Sequence, residues 1–249
     1  MAGHNKWSKI KRKKGVADAR RSKVWARITR DIMIAAREGG GDVEMNPRLS
    51  LAVDKAKAEN MPKDNIERAI KRGTGEIEGA DYEEMTYEGY APGGVAVFVE
   101  ALTDNTNRTV ADVRHAFTKY GGNLGTSGSV AYMFDRKGEF ELDASDLDED
   151  DIFLLVAEAG AEDLRREDGR FIVTTPMEEF SAVQDALEDA GIEPKEAKLV
   201  RLPTTTTSLS PDDAAKVLRL VDALEELQDV QEVYTSLEMD DATLASLEG

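Results

Sequence analysis

The residues best suited to chemistry in this sequence are the lysines and arginines of its first thirty positions. Residues 1–30 hold 11 lysines and arginines against a single acid, Asp18, for a net charge of +10. The whole chain carries −18, so the remaining residues carry −28. A strongly basic segment on an acidic protein is typical of a chain that meets a polyanion. The phosphates of a nucleic acid are the ligand that this pattern favours.

The basic head divides into two parts with different patterns. Residues 1–16 lack helical periodicity, which predicts a mobile basic arm whose Trp7 either stacks on a base or packs back onto the protein. From Asp18 to Glu38 the sequence predicts a helix with an apolar stripe and, largely opposite, a basic stripe at spacing i, i+3, i+7, i+10. The candidate nucleic-acid-binding residues of the head are Lys6, Trp7, Lys9, Lys11, Arg12, Lys13, Lys14, Arg20, Arg21, Lys23, Arg27 and Arg30.

Two further short helices follow the head. Pro47 and Pro62 mark their starts, and Gly73 marks the end of the second. Three helices with short connectors predict a small bundle. On the last helix Asn65, Arg68 and Arg72 share a face at i, i+3, i+7, and these residue types are suited to reading bases or binding phosphates. Such a face is also common on ordinary surface helices that bind no ligand.

The periodicity becomes strand-like from Asp81 onward. Two strands around a turn at 91–94 and a helix at about 107–120 come first. Residues 129–202 then follow the order β-α-β-β-α-β, with the first strand at 130–134, which is the ferredoxin-like arrangement. A final helix and strand cannot form a stable domain alone. Residues 204–249 are therefore expected to complete the domain that begins at residue 81.

The predicted fold class is α+β and multidomain. An N-terminal three-helix bundle precedes two α+β domains, of which the second is ferredoxin-like and inserted in the first. The expected domains are 1–16 (arm), 17–80 (bundle, nucleic-acid binding), 81–128 with 204–249, and 129–203. The charge changes at the bundle's end, because residues 1–80 hold 19 lysines and arginines against 11 acids, a net charge of +8.

Several classes of function are disfavoured by composition and spacing. Cysteine is absent and only His4 and His115 occur, which excludes thiolate and histidine-rich metal sites. The acids at 146–151 lack the spacing of a calcium loop and suit a helix start. The glycine-rich stretches match neither nucleotide-binding pattern, and no nucleophile elbow is present. We therefore expect no enzyme, no catalytic residue, no metal and no cofactor.

The expected location is the cytoplasm, without a membrane association. No apolar run is long enough to span a bilayer, and no hydrophobic secretory core follows Met1. A start rich in arginine and lysine is also typical of organellar transit peptides. The basic pattern continues without a break into an amphipathic helix, which favours a functional head over a cleaved leader.

Many segments of the sequence resemble the YebC/PmpR family of bacterial regulators. The resemblance covers almost the whole chain and is densest to about residue 134. It implies the same order of a three-helix domain and two α+β domains. Arg12 stands where the family usually has histidine, so positive charge is kept there. The segments that carry the resemblance are MAGHNKWSKIK, KGVADARRSK, AAREGGGD, NPRL, DKAKAENMPKDNIERAIKRGTG, YEGYAPGGVA, LTDNTNRT, VRHAF and GGNLGTSGSVA.

This resemblance implies a non-enzymatic regulator of gene expression. Family members are described as transcriptional regulators that bind DNA, and mitochondrial relatives as translational activators of cytochrome oxidase. Members are also described as translation factors that act at the ribosome where proline-rich stretches stall synthesis. Our hypothesis is a DNA-binding transcriptional regulatory protein; the alternative is a ribosome-associated translation factor that binds ribosomal RNA. The sequence contains no helix-turn-helix or zinc-finger signature. It is compatible with either DNA or RNA as the bound nucleic acid, and it does not specify the oligomeric state.

Overall fold

The computed structural model describes residues 17–78 and 81–238, with side chains from residue 22 onward in the first helix. The predicted arm, residues 1–16, lies outside this range. The described residues form seven α-helices: α1 Ala17–Gly39, α2 Pro47–Ala58, α3 Lys63–Gly73, α4 Thr106–Lys119, α5 Glu149–Glu158, α6 Phe180–Asp189 and α7 Pro211–Glu226. Their strands are β1 Glu83–Tyr90, β2 Ala96–Thr103, β3 Asn123–Leu124, β4 Phe134–Asp143, β5 Asp163–Glu167, β6 Arg170–Pro176, β7 Glu196–Pro203 and β8 Val230–Thr235. The α+β class predicted from the sequence is confirmed.

The three N-terminal helices pack around one apolar core. Ile28 and Ile32 of α1 and Leu49 of α2 are fully buried in it, as the 3.6-residue period of the apolar positions dictates. Gly73 ends α3 directly against α1, where an added Cβ atom would lie 2.4 Å from the main-chain oxygen of Met33. The contact between α1 and α3 therefore requires a residue without a side chain at position 73.

Asn46 joins the end of α1 to the start of α2. Its Oδ1 accepts a hydrogen bond from the Leu49 amide at 3.1 Å, which caps α2. Its Nδ2 donates to the carbonyls of Ala35 at 2.8 Å and Gly40 at 2.9 Å. One buried amide side chain thus satisfies main-chain groups at two helix ends that otherwise lack partners.

The first sheet has the strand order β3-β1-β2-β8 and is antiparallel at each of its three pairings. Tyr87 of β1 pairs with Val99 of β2, which in turn pairs with Val233 of β8. Helices α4 and α7 contribute Phe117 and Leu224 to the core against this sheet. The strand from the C-terminal region therefore lies beside a strand formed about 130 residues earlier.

The chain separates into two compact units, residues 1–134 with 203–249 and residues 135–202. The second unit contains a sheet of order β5-β6-β4-β7 together with α5 and α6. Its fully buried residues include Phe140 and Phe171, and the rings of Phe140 and Phe180 stack at 4.5 Å. This order of elements, strand-helix-strand-strand-helix-strand, gives the unit its own core.

The strand predicted at residues 130–134 is wrong. A short 3₁₀ turn occupies Ala131–Met133, and β4 begins only at Phe134. The cause is the buried carboxylate of Glu88, which accepts hydrogen bonds of 2.7 Å from the amides of Gly128, Val130 and Ala131. Amides that converge on one carboxylate cannot alternate in direction as a strand ladder requires.

Candidate nucleic-acid interface

The candidate residues of the basic head fall into two groups. Outside the described residues lie Lys6, Trp7, Lys9, Lys11, Arg12, Lys13 and Lys14. Arg20 and Arg21 lie in α1, without a described side chain. The described candidates are Lys23, Arg27 and Arg30 on α1, and Asn65, Arg68 and Arg72 on α3.

The basic stripe of α1 runs along the C-terminal end of α7. Lys23 Nζ lies 3.4 Å from the carbonyl oxygen of Glu226, and a guanidinium nitrogen of Arg27 donates to the carbonyl of Glu225. The last carbonyls of a helix lack intrahelical donors and carry the negative end of its dipole. These two cations therefore provide hydrogen-bond donors for the last carbonyls of α7. The spacing of the basic stripe in the sequence does not reveal this role.

Arg30 is buried, with 4% of its surface exposed. Its Nη2 donates to the carbonyl of Gln228, and its guanidinium carbon lies 5.9 Å from the ring centroid of Tyr82. Its Nε is buried and has no hydrogen-bond partner in the described part of the chain. The candidate Arg30 is therefore buried within the fold, because this face of α1 packs against the turn before β8.

Asp31 strengthens the same contact between α1 and β8. Gln231 Nε2 donates to Asp31 Oδ1 at 2.6 Å and to the carbonyl of Arg27 at 3.2 Å. Burial raises the pKa of Asp31, although the charge of Lys55 and the hydrogen bond from Gln231 act in the opposite direction. The contact thus combines two arginines, a carboxyl group and an amide.

The predicted face of α3 differs from the stripe of α1. Arg68 and Arg72 are exposed and Asn65 is half-buried. Among residues 22–78 and 81–238, neither arginine has a carboxylate within ion-pair distance. These side chains are therefore available to an external anion.

Arg37 and Lys71 share this exposure and lack of ion pairs within the described chain, although the sequence patterns do not single them out. Arg37 lies seven positions after Arg30 and therefore continues the basic stripe of α1. The four exposed cations Arg37, Arg68, Lys71 and Arg72 are called the free cation set below.

Apart from Lys23, which contacts a carbonyl at the end of α7, the other exposed cations of the bundle with a described side chain are paired with acids. Arg48 contacts both Glu38 and Glu84, and the remaining pairs are Lys55 with Glu232, Lys57 with Asp54, and Lys63 with Glu67. Each of these pairs weakens the attraction of the lysine or arginine for an external phosphate. The free cation set is therefore distinguished by its surroundings and not by residue type.

Two adjoining cavities lie between α1, the end of α3 and Tyr82. The first, of about 480 Å³, is lined by Arg37, Arg72 and Thr74 among others. The second, of about 410 Å³, is lined by Thr29, Arg30 and Gln228. Met33, Arg72 and Tyr82 line both cavities, which together are called the α1–α3 groove. Glu78 lines the second cavity and Asp81 the first, so the groove also contains carboxylates.

The described chain contains neither a membrane-spanning helix nor a metal-type cluster of side chains. Within residues 17–78 and 81–238, no helix is long and apolar enough to cross a bilayer. The same residues contain no cluster of three or more histidine, aspartate or glutamate side chains placed to hold a metal ion.

Comparison with known protein families covers both halves of the chain. Residues 5–76 match the model described as the TACO1/YebC protein N-terminal domain. Residues 82–237 match the model described as the TACO1/YebC second and third domain.

Comparison with individual proteins gives matches over nearly the full length. A probable transcriptional regulatory protein of Thermotoga petrophila is 54% identical over 249 residues, which covers 99% of this chain and 98% of the relative. A protein of the same description from Rubrobacter xylanophilus is 54% identical, with 100% of both chains covered. The crystal structure of a conserved hypothetical protein from Aquifex aeolicus has a TM-score of 0.83 at 47% identity, covering 90% of this chain and 93% of that one.

Proposed function

Because this chain belongs to the TACO1/YebC family, we propose that it is a non-enzymatic regulator of gene expression that binds nucleic acid through its N-terminal region. Relatives that match it from end to end are named probable transcriptional regulatory proteins. DNA is therefore the first nucleic acid to test. The proposed place of action is the cytoplasm.

The observation that carries this proposal is the free cation set. The chain holds 50 acids against 32 lysines and arginines, yet none of these four cations has a carboxylate within ion-pair distance among the described residues. Arg68, Lys71 and Arg72 follow one another on α3, and Arg37 and Arg72 line one cavity. Phosphate binding at these positions has no existing ion pair to break.

The acidic remainder of the chain limits where a polyanion binds. Residues 81–249 carry a net charge of −26, which repels phosphates over most of the surface. We therefore place the phosphate contacts at the arm and at the free cation set. We assign Arg27 and Arg30 to holding α1 against α7 and β8, since their guanidinium groups already donate to carbonyls.

Replacing free cations and paired cations separately tests this assignment. Arg68→Gln with Arg72→Gln removes two free cations, whereas Lys57→Gln with Lys63→Gln removes two paired ones. Binding to a labelled DNA duplex is measured by fluorescence anisotropy across a salt series. We expect the first pair of changes to weaken binding and to reduce the salt slope by roughly 0.9 for each lost phosphate contact. The second pair is expected to change much less.

Equal effects of the two double variants, or unchanged affinity of the first at low salt, contradict the role of the free cation set. The arm is tested separately, by changing Lys9, Lys11, Lys13 and Lys14 to glutamate. We expect this variant to lose binding to nucleic acid. Retained affinity at low salt assigns binding to the bundle alone.

Crosslinking in cells, followed by sequencing of the attached nucleic acid, separates the two kinds of target. Recovery of discrete promoter fragments supports transcriptional regulation by DNA binding. Recovery of one patch of large-subunit ribosomal RNA instead supports a ribosome-associated translation factor that relieves stalling at proline-rich stretches. Recovery without enrichment of any site contradicts both.

A further inference from the structure

We propose that the α1–α3 groove receives one unpaired nucleotide of a single-stranded nucleic acid, with its base against Tyr82 and its phosphate at Arg72. This inference rests on the proposed nucleic-acid binding and specifies its substrate class. In this groove an aromatic ring and cations of the proposed interface line the same cavities.

The size of the groove favours a nucleotide over a phosphate alone. Each cavity has the volume of a small-molecule site, about 300–1,000 Å³. A single phosphate group would leave most of this space unfilled. Met33 and Tyr82 add an apolar and an aromatic surface that a phosphate does not use. A base stacks on an aromatic side chain whatever its identity, because every base has a π face.

The buried guanidinium of Arg30 supplies a second and independent argument. Arg30 lines the second cavity, and its Nε has no partner in the described chain. A buried N–H without an acceptor costs free energy. An acceptor atom of a base or a ribose placed in the groove offers it a partner. The other guanidinium donations of Arg30, to Gln228 and at 3.5 Å to Gln231, hold the group in place.

The charge distribution in the groove limits it to one nucleotide. Arg37 and Arg72 attract a phosphate at the first cavity, but Asp81 and Glu78 line the same groove. A neutral base tolerates neighbouring carboxylates, and its amino groups donate to them. A second phosphate at the same place is repelled. The groove therefore suits a phosphate at Arg72 and Arg37 with a base directed inward.

A duplex does not make these contacts while its bases remain paired and stacked. Its phosphates reach the exposed cations, but its bases do not enter the groove unless one is unstacked and unpaired, which costs free energy. The half-buried ring of Tyr82 and the Nε of Arg30 then remain unused. Single strands and loops have unpaired bases available at much lower cost. The groove is thus expected to favour single strands.

Tyr82 variants test the inference with two probes, a labelled single-stranded RNA of about twelve nucleotides and the same sequence as a duplex. We expect the full chain to bind the single strand more tightly than the duplex. Tyr82→Leu is expected to weaken single-strand binding about tenfold, in line with the loss of one stacked base, with little effect on the duplex. Tyr82→Phe keeps the ring and is expected to bind like the unchanged chain.

Tyr82→Trp gives a readout that does not depend on the leucine variant being folded. We expect fluorescence at position 82, obtained by subtracting the unchanged chain's signal, to be quenched by the single strand and not by the duplex. Equal affinity for both probes, or an unaffected Tyr82→Leu variant with normal folding, overturns the inference. If the arginine changes on α3 still weaken binding in that case, the proposed nucleic-acid binding stands without it. If they do not, the proposed function of this interface fails as well.

Discussion

The guanidinium of Arg30 donates a hydrogen bond to the main-chain carbonyl of Gln228, in the turn between α7 and β8. With Arg27 and Glu225 making a similar contact, α1 is held against segments about 200 residues later in the chain. The helix that carries much of the basic head is therefore part of the packing within its unit. Only the cations of this helix that these contacts leave available can therefore bind phosphate.

Replacing Arg30 is expected to destabilise the unit that contains α1, α7 and β8. Arg30→Met keeps the apolar part of the side chain but removes the hydrogen bond that the guanidinium donates to the carbonyl of Gln228. The expected loss in the free energy of unfolding is about 1–3 kcal/mol, measured by urea unfolding with circular dichroism. Arg37→Met is the matched control on the same helix, and we expect it to change stability by less than about 0.5 kcal/mol. Similar effects of both changes contradict the assignment of Arg30 to packing.

Gly73→Ala is expected to destabilise the bundle although alanine is usually the better helix residue. An alanine Cβ at this position meets the main-chain oxygen of Met33 at 2.4 Å and the Cβ of Ala36 at 2.8 Å. A main-chain atom cannot rotate away, so α1 and α3 must separate. Overpacking of this kind typically costs about 1–3 kcal/mol, whereas the helix propensity alone predicts a gain of about 1 kcal/mol. The sign of the change in urea midpoint decides between the two.

Asp229 gives the first unit a dependence of stability on pH. Its carboxylate is buried, which alone raises a pKa, but hydrogen bonds from Arg108, Thr109 and Thr103 outweigh burial and lower it. The Arg108 Nη2 contact measures 2.7 Å and the Thr109 Oγ1 contact 2.8 Å. Because the folded pKa lies below the unfolded value of about 3.9, ionised Asp229 stabilises the fold above that pH. This contribution is lost as the pH falls through the folded pKa.

Asp229→Asn is therefore expected to reduce stability at pH 7 and to reduce it less at pH 3. The measurement is urea unfolding of both proteins at the two pH values. Asp104→Asn is the control, because Asp104 also contacts Arg108 but is exposed, and an exposed pair contributes about 0–1 kcal/mol. A difference between Asp229→Asn and the unchanged chain that is constant with pH contradicts the assignment.

Glu88→Gln is expected to release the segment that precedes β4. The carboxylate accepts from three amides at 2.7 Å, whereas a glutamine side chain has one acceptor oxygen and directs an N–H₂ group at the other donors. Leaving a buried donor without an acceptor costs about 1–3 kcal/mol. Faster hydrogen exchange at the amides of Val130 and Ala131 is the direct measurement. Glu84→Gln, an exposed position on the same strand, is expected to leave this exchange unchanged.

Local patterns in the sequence predicted the helices well, because their causes lie close together in the chain. The apolar period of α1, Pro47 at the start of α2 and Gly73 at the end of α3 act over a few residues. The strand expected at 130–134 failed for the opposite reason. Its amides are held by Glu88, about 40 residues earlier, and no local pattern reports such a partner.

The sequence by itself determined the α+β class, the helical N-terminal region and the concentration of positive charge in that region. Composition and periodicity are properties of the chain alone. Only the tertiary structure decided which of those charges are available. Lys23, Arg27 and Arg30 share one stripe with Arg37, but they contact carbonyls at the end of α7 and in the turn before β8, whereas Arg37, within the described residues, does not. The partners of each cation come from distant segments, and the packing of those segments separates the cations that hold the fold from those that can meet a phosphate.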